Sequence, residues 1–233
     1  MTMIVSAHLG DCILIAADKR AMVYDINSGL LRISHDDEAK IKLWCRGAIT
    51  GTGDSLFINR IMNYFENLTE QEQKLEQVNA IQMEIERRLS EGVPKELLSN
   101  NTLIFSMFNG CETSLYTIPI QPFFETFKLG GGEYLRAKVN EIKEWTIEVC
   151  CLNIPSDLAL LQDFQRNLRS LNSFESEGHF ISYYIEYLKT IFAKQASIDT
   201  SVTPSFDLYL QSCETGCSFA IHIENNFLTT SNV

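Results

Sequence analysis

Met1-Thr2-Met3-Ile4-Val5 and Cys12-Ile13-Leu14-Ile15-Ala16-Ala17-Asp18-Lys19-Arg20-Ala21 open the chain as two apolar runs of strand length, separated by Gly10-Asp11. The glycine-acid pair between runs of this kind predicts a β-hairpin. Its chemistry lies at the two ends. Loss of the initiator Met would make Thr2 the first residue. One residue would then carry a hydroxyl nucleophile and its own base, the free α-amine. Asp18 falls at the end of the second run. The pairing points to amide hydrolysis by an N-terminal nucleophile.

Outward from the hairpin, strands are predicted over Lys40–Trp44 and Gly47–Thr50, joined at Cys45-Arg46. Asp54 or Ser55 caps a helix whose Phe57, Ile61, Tyr64, Phe65 and Leu68 share one face. Thr69, with Glu72 three residues on, opens a second helix with a stripe of Leu75, Val78, Ile81, Ile85 and Leu89, stopped by Gly92 and Pro94. Thr102–Phe108 and Ser114–Ile120 flank Asn109-Gly110, a strong hairpin signal. Phe123–Leu129 reads as a third strand, ending in Gly130-Gly131-Gly132. Ser156 caps a helix reaching Leu171, and Phe180–Phe192 keeps helical spacing. Two alternating strands, Phe206–Leu210 and Phe219–Ile223, close the chain. Hairpins and helices in separate runs indicate an α+β class rather than βαβ units.

Composition narrows the function classes. The chain has 233 residues, 45% hydrophobic and 21% charged, which suits one domain over residues 1–233. Its net charge of −11 argues against a nucleic-acid surface and a polybasic membrane patch. No apolar run approaches the roughly 18 residues of a membrane helix, and the start lacks a basic signal region. The expected location is cytoplasmic. The seven cysteines are odd in number and sit mostly in apolar runs, as reduced core thiols do. Cys213 and Cys217 lack a second ligand pair, and the four histidines form no His-Glu-x-x-His pattern, so no metal or cofactor is expected.

Four segments, in order, resemble the proteasome β-type subunits, threonine peptidases of the N-terminal-nucleophile hydrolase superfamily. They are Thr2-Met3-Ile4-Val5, Ala16-Ala17-Asp18-Lys19-Arg20-Ala21, Ala39-Lys40-Ile41-Lys42-Leu43 and Ala48-Ile49-Thr50-Gly51-Thr52-Gly53-Asp54. The resemblance implies a four-layer α-β-β-α sandwich of two mainly antiparallel sheets. It implies Thr2 as nucleophile, Lys40 beside it, Asp18 orienting that lysine, and the Gly51 N–H as oxyanion donor. Asp199 aligns with a supporting acid. It implies self-association into a ring or stack, polypeptide substrates and an ATP-dependent unfoldase as a possible partner. Ala21, Glu38, Lys42 and Ile49 align with the specificity pocket.

The chain also departs from the family pattern. Gly130-Gly131-Gly132 stands where a Gly-Ser-Gly stretch is usual. Asp199 is followed by Val202 where a serine is usual, leaving Thr200 or Ser201 as substitutes. The chain between these points is longer than usual, which suggests a helical insertion at about 140–175. Two other readings follow: an inactive assembly subunit that retains Met1, and an amidase acting on small amides.

Overall fold

The computed structural model describes residues 2–25, 30–68, 77–129, 132–135, 137–151, 153 and 158–225. The first hairpin forms as expected from β1 (Ile4–His8) and β2 (Cys12–Asp18), with Ile4 opposite Ala17. Gly10 in its turn has φ +85°, and a Cβ there would lie 2.8 Å from the Trp145 ring, so the turn requires glycine. A ribbon follows, β3 (Ala21–Asp25) and β4 (Leu30–His35), then β5 (Lys42–Trp44) and β6 (Gly47–Thr52). Three helices come next: α1 (Ser55–Glu66), α2 (Gln77–Ser90) and α3 (Lys95–Ser99). The chain returns to strands with β7 (Thr102–Phe108), β8 (Thr113–Pro119), β9 (Thr126–Leu129), β10 (Gly132–Leu135), β11 (Asn140–Ile142) and β12 (Thr146–Cys150). Helices α4 (Ala159–Arg166) and α5 (Glu177–Ile198) precede a closing hairpin, β13 (Phe206–Ser212) and β14 (Ser218–Ile223).

Two five-stranded sheets carry the structure, ordered β12-β1-β2-β13-β14 and β11-β8-β7-β6-β5. β3-β4 and β9-β10 are two-stranded ribbons. Ile4, Ile13, Ile15 and Tyr209 of the first sheet form one apolar cluster with Ala48, Ile104 and Leu115 of the second. Burying both faces of β1 and β2 explains why these strands read as continuous apolar runs without alternation. Phe180, Tyr184, Leu188 and Phe192 of α5 pack against the first sheet, and Phe192 stacks on Phe206 with ring centroids 4.7 Å apart. Phe57, Ile61, Phe65, Ile81 and Ile85 of α1 and α2 cluster with Phe105 and Ile118 of the second sheet.

The expected α+β four-layer α-β-β-α sandwich is corrected by this architecture. The described residues are mainly β, with fourteen strands against five α-helices. The difference arises where strands are short, as in β10 and β11, or paired only as two-stranded ribbons, as in β3-β4. Period-two alternation is too brief there to register. The suggested helical insertion at about 140–175 begins instead with β11 and β12, which are edge strands of the two main sheets.

Local differences have similar causes. Asp54 caps α1, accepting from the Phe57 N–H at 2.7 Å. It also receives Arg88 of α2, at 3.1 and 2.9 Å. Arg60 of α1 reaches Glu84 of α2 at 2.9 Å. These ion pairs rotate Glu84 and Arg88 inward, and Leu89, expected in the buried stripe, is exposed. Thr69, Glu72, Leu75, Gly130, Gly131 and Ser156 lie outside the described residues. All seven cysteines are free; Cys12, Cys150 and Cys213 are buried, whereas Cys45, Cys111 and Cys217 are exposed. Among the described residues no helix is long and apolar enough to cross a membrane, and no group of His, Cys, Asp or Glu could hold a metal ion.

Candidate active site

The site is built around Asp18, fully buried at the end of β2. Its Oδ1 accepts from the Met3 N–H at 2.8 Å and from Lys40 Nζ at 2.9 Å. Its Oδ2 accepts from the Arg20 N–H at 2.9 Å and from the Thr203 N–H at 3.4 Å. One carboxylate thus ties the backbone next to Thr2 to the lysine and to the loop after α5. The Asp18 N–H also donates to the Met3 carbonyl at 3.1 Å, which fixes the start of β1 against the end of β2.

Lys40 is 8% exposed, just before β5. Burial pushes its ammonium below the usual lysine value, and Asp18 acts against that shift. Thr2 is also 8% exposed. Its carbonyl accepts from Thr52 Oγ1 at 3.2 Å, a bond from the end of β6 that holds the second residue in place.

Thr2, Lys40 and Gly51 line one cleft of about 190 Å³. Gly51 lies in β6, opposite Leu103 of β7. The Ala48 N–H turns toward β7, where it meets Ser106 Oγ at 3.1 Å. Hydrogen-bonding direction alternates along an antiparallel strand, so Gly51, three residues on, turns its N–H away from β7. The β5 ladder ends at the Lys42–Ile49 pair, which leaves that side of Gly51 open to the cleft. A Cβ on Gly51 would lie 2.7 Å from Ile58 Cδ1, so the close approach of α1 requires glycine. Gly53, at φ +127°, is pinned by Asn101, whose Oδ1 accepts from the Asp54 N–H at 2.6 Å.

Asp199 stands one step back from this group and does not line the cleft. Its Oδ1 accepts from the Ser201 hydroxyl at 2.6 Å and the Ser201 N–H at 2.8 Å, and its Oδ2 from Asn153 Nδ2 at 2.9 Å. Burial alone would raise its pKa. The donors from Ser201 and Asn153 outweigh burial and hold the carboxyl below its usual range. Of the two substitutes read from the sequence, Ser201 is the residue that bonds Asp199. Of the aligned specificity residues, Ala21 and Glu38 line the cleft; Ile49 is fully buried in the core, and Lys42 lies outside the lining.

Three residues at the site carried no sequence assignment. Arg20 binds both Asp36 oxygens, at 2.6 and 2.7 Å, and the carbonyls of Thr200 and Val202 at 2.8 and 3.3 Å. It therefore joins the base of the β3-β4 ribbon to the loop carrying Asp199. Asn101 and Asn153 act from distant positions in the chain, and no local pattern marks either. Cysteine is a poor rival nucleophile here. Burial pushes the Cys12, Cys150 and Cys213 thiols up to about 12, so they stay protonated near neutral pH.

No protein-family model and no curated protein sequence matches this chain. Solved structures do. An Anbu (Gly-1) mutant from Hyphomicrobium sp. strain MC1 is 15% identical, with a TM-score of 0.61, over 97% of this chain and 88% of that one. Anbu from the same strain is 14% identical, with a TM-score of 0.58, over 96% and 88%. Anbu from Yersinia bercovieri, described as an ancestral beta-subunit, is 11% identical, with a TM-score of 0.60, over 97% and 89%. At these identities the likeness is one of fold. It corrects the resemblance to proteasome β-type subunits: these three structures are Anbu, and the chain shares their fold.

Proposed function

We propose that this chain is a threonine-type N-terminal-nucleophile hydrolase that cleaves peptide amides once Met1 is removed. One observation carries the reading. The Asp18 Oδ1 that holds Lys40 Nζ also holds the N–H of Met3, the residue next to Thr2. A carboxylate, an ammonium and the backbone next to Thr2 are thereby held together beside an open cleft.

The chemistry follows from these groups. The free α-amine of Thr2 takes the proton from its own Oγ, and Oγ attacks the substrate carbonyl to give an acyl-enzyme. The Lys40 ammonium, oriented by Asp18, stabilises the developing alkoxide. The Gly51 N–H donates to the tetrahedral oxyanion, a donor worth about 3 kcal/mol in such sites. The amine then protonates the leaving nitrogen and activates water for deacylation. Asp199 and Ser201 support the loop that Arg20 ties to the site. Self-association of copies into a closed assembly in the cytoplasm belongs to the same proposal, because it would shield other proteins from an unselective nucleophile.

An electrophile directed at N-terminal threonine, followed by peptide mapping, tests the assignment. The expected result is modification at Thr2 in Met1-free protein, lost in Lys40→Ala. Unmodified Thr2 in Met1-free protein would favour an inactive assembly subunit.

A pH profile gives a second check. The amine must be neutral to act as base, so activity rises with an acid limb near about pH 8, the usual α-amine range. Lys40 must stay charged, and burial lowers its pKa, so activity falls again on a limb below the ordinary lysine value of 10.5. Lys40→Arg keeps the charge to higher pH, and its remaining activity should lack that alkaline limb.

A further inference from the structure

Beside Thr2, the cleft has walls of a definite chemistry. Met22, Ile58 and Met62 supply apolar surface, Ser55 and Asn59 add polar groups, and the small side chains of Ala21 and Ala39 leave room between them. At about 190 Å³ it is large enough for one long side chain. Its lining contains one carboxylate, Glu38. That group is 39% exposed and meets His35 Nε2 at 3.4 Å. The Glu38 N–H bonds the Lys19 carbonyl at 3.0 Å, which fixes its backbone beside β2.

The two cations of the same lining are engaged elsewhere. Arg20 is forked onto Asp36 and two loop carbonyls. Lys40 sits on Asp18. A ligand entering the cleft therefore meets an apolar strip that suits a methylene stem, and a carboxylate that suits a cationic tip. The chain carries a net charge of −11, so the overall field also favours an approaching cation.

Resting on the hydrolase reading above, we infer that the cleft selects substrates whose acyl-side residue is arginine or lysine, with Glu38 as the specificity-determining residue. The stem lies along Met22, Ile58 and Met62, and the guanidinium or ammonium meets the Glu38 carboxylate. Acidic acyl-side residues are disfavoured by the same group.

The test uses full-length Met1-free protein and matched fluorogenic peptidyl amides that differ only in the acyl-side residue: arginine, leucine or glutamate. Wild type is expected to prefer the arginyl over the leucyl amide in kcat/KM by about tenfold, with the glutamyl amide slowest. Glu38→Gln should bring the arginyl-to-leucyl ratio close to one, and Glu38→Lys should raise the glutamyl amide above the arginyl. Asp37→Asn removes a neighbouring exposed charge outside the cleft and should leave the ratio unmoved. A wild-type preference for the leucyl amide, or a ratio indifferent to Glu38→Gln, overturns the inference while leaving the hydrolase reading intact. No turnover of any of the three amides by protein with a free Thr2 overturns both.

Discussion

Thr2→Ala is expected to abolish amide hydrolysis, lowering kcat by on the order of 10⁴-fold or more, while the protein stays folded. Removing a nucleophile leaves only the donors and the binding surface, whose residual effect is small beside the loss. Thr2 is held through its carbonyl, which accepts from Thr52 Oγ1, and alanine keeps that carbonyl. The substitution therefore removes chemistry without removing a bond that holds β1. Thr2→Ser keeps the hydroxyl and should retain activity within about tenfold of wild type. Protein that keeps Met1 should be as inactive as Thr2→Ala, because the nitrogen of Thr2 is then an amide with no basic lone pair. Initial rates on one amide substrate, with intact mass to score Met1, measure all three. Comparable rates from Thr2→Ala and wild type would exclude Thr2 as the nucleophile.

Much of this site can be read from the chain, because its members lie in or next to strands with strong local signals. Asp18 ends an unbroken apolar run, and Gly51 lies near the end of another strand at a point where α1 presses close. The Gly10 turn, the Asp54 cap and the β7-β8 hairpin are local features, each set by residues a few positions apart. Contacts made across long separations are a different matter. Arg20 is joined to Thr200, and Asn153 to Asp199, by geometry that no short window contains. Leu89 keeps the period of a buried helical stripe, yet ion pairs from Asp54 and Arg60 turn the neighbouring face inward. The α+β sandwich expectation failed for a related reason. β3, β4, β10 and β11 carry residues such as Arg32, Glu133 and Glu141 within very short strands, so pairing partners, not alternation, make them strands.

Asp18→Asn is expected to cost more stability than Lys40→Met, although both should lower activity by about 10³-fold. The asymmetry follows from the hydrogen bonds. Asp18 is fully buried and accepts from four donors: Lys40 Nζ and the N–H groups of Met3, Arg20 and Thr203. An asparagine must turn its NH₂ toward one of the two donor pairs, either Lys40 with Met3 or Arg20 with Thr203. In both orientations donors face donors, and the buried ammonium loses the carboxylate that neutralises it. Disrupting a buried pair in this way costs about 3–5 kcal/mol, which for a domain of this size lowers Tm by about 6–20 °C. Lys40→Met removes the charge that burial already disfavours, as the lowered lysine pKa indicates. The carboxylate it leaves behind keeps three backbone N–H donors, and methionine fills the space of the aliphatic stem. A loss of about 1–2 kcal/mol is expected there. Thermal or urea unfolding of the two variants, paired with initial rates, separates the roles. Equal stability losses would show that Asp18 matters only through Lys40, and the carboxylate could then no longer be regarded as the anchor of the chain's first residues.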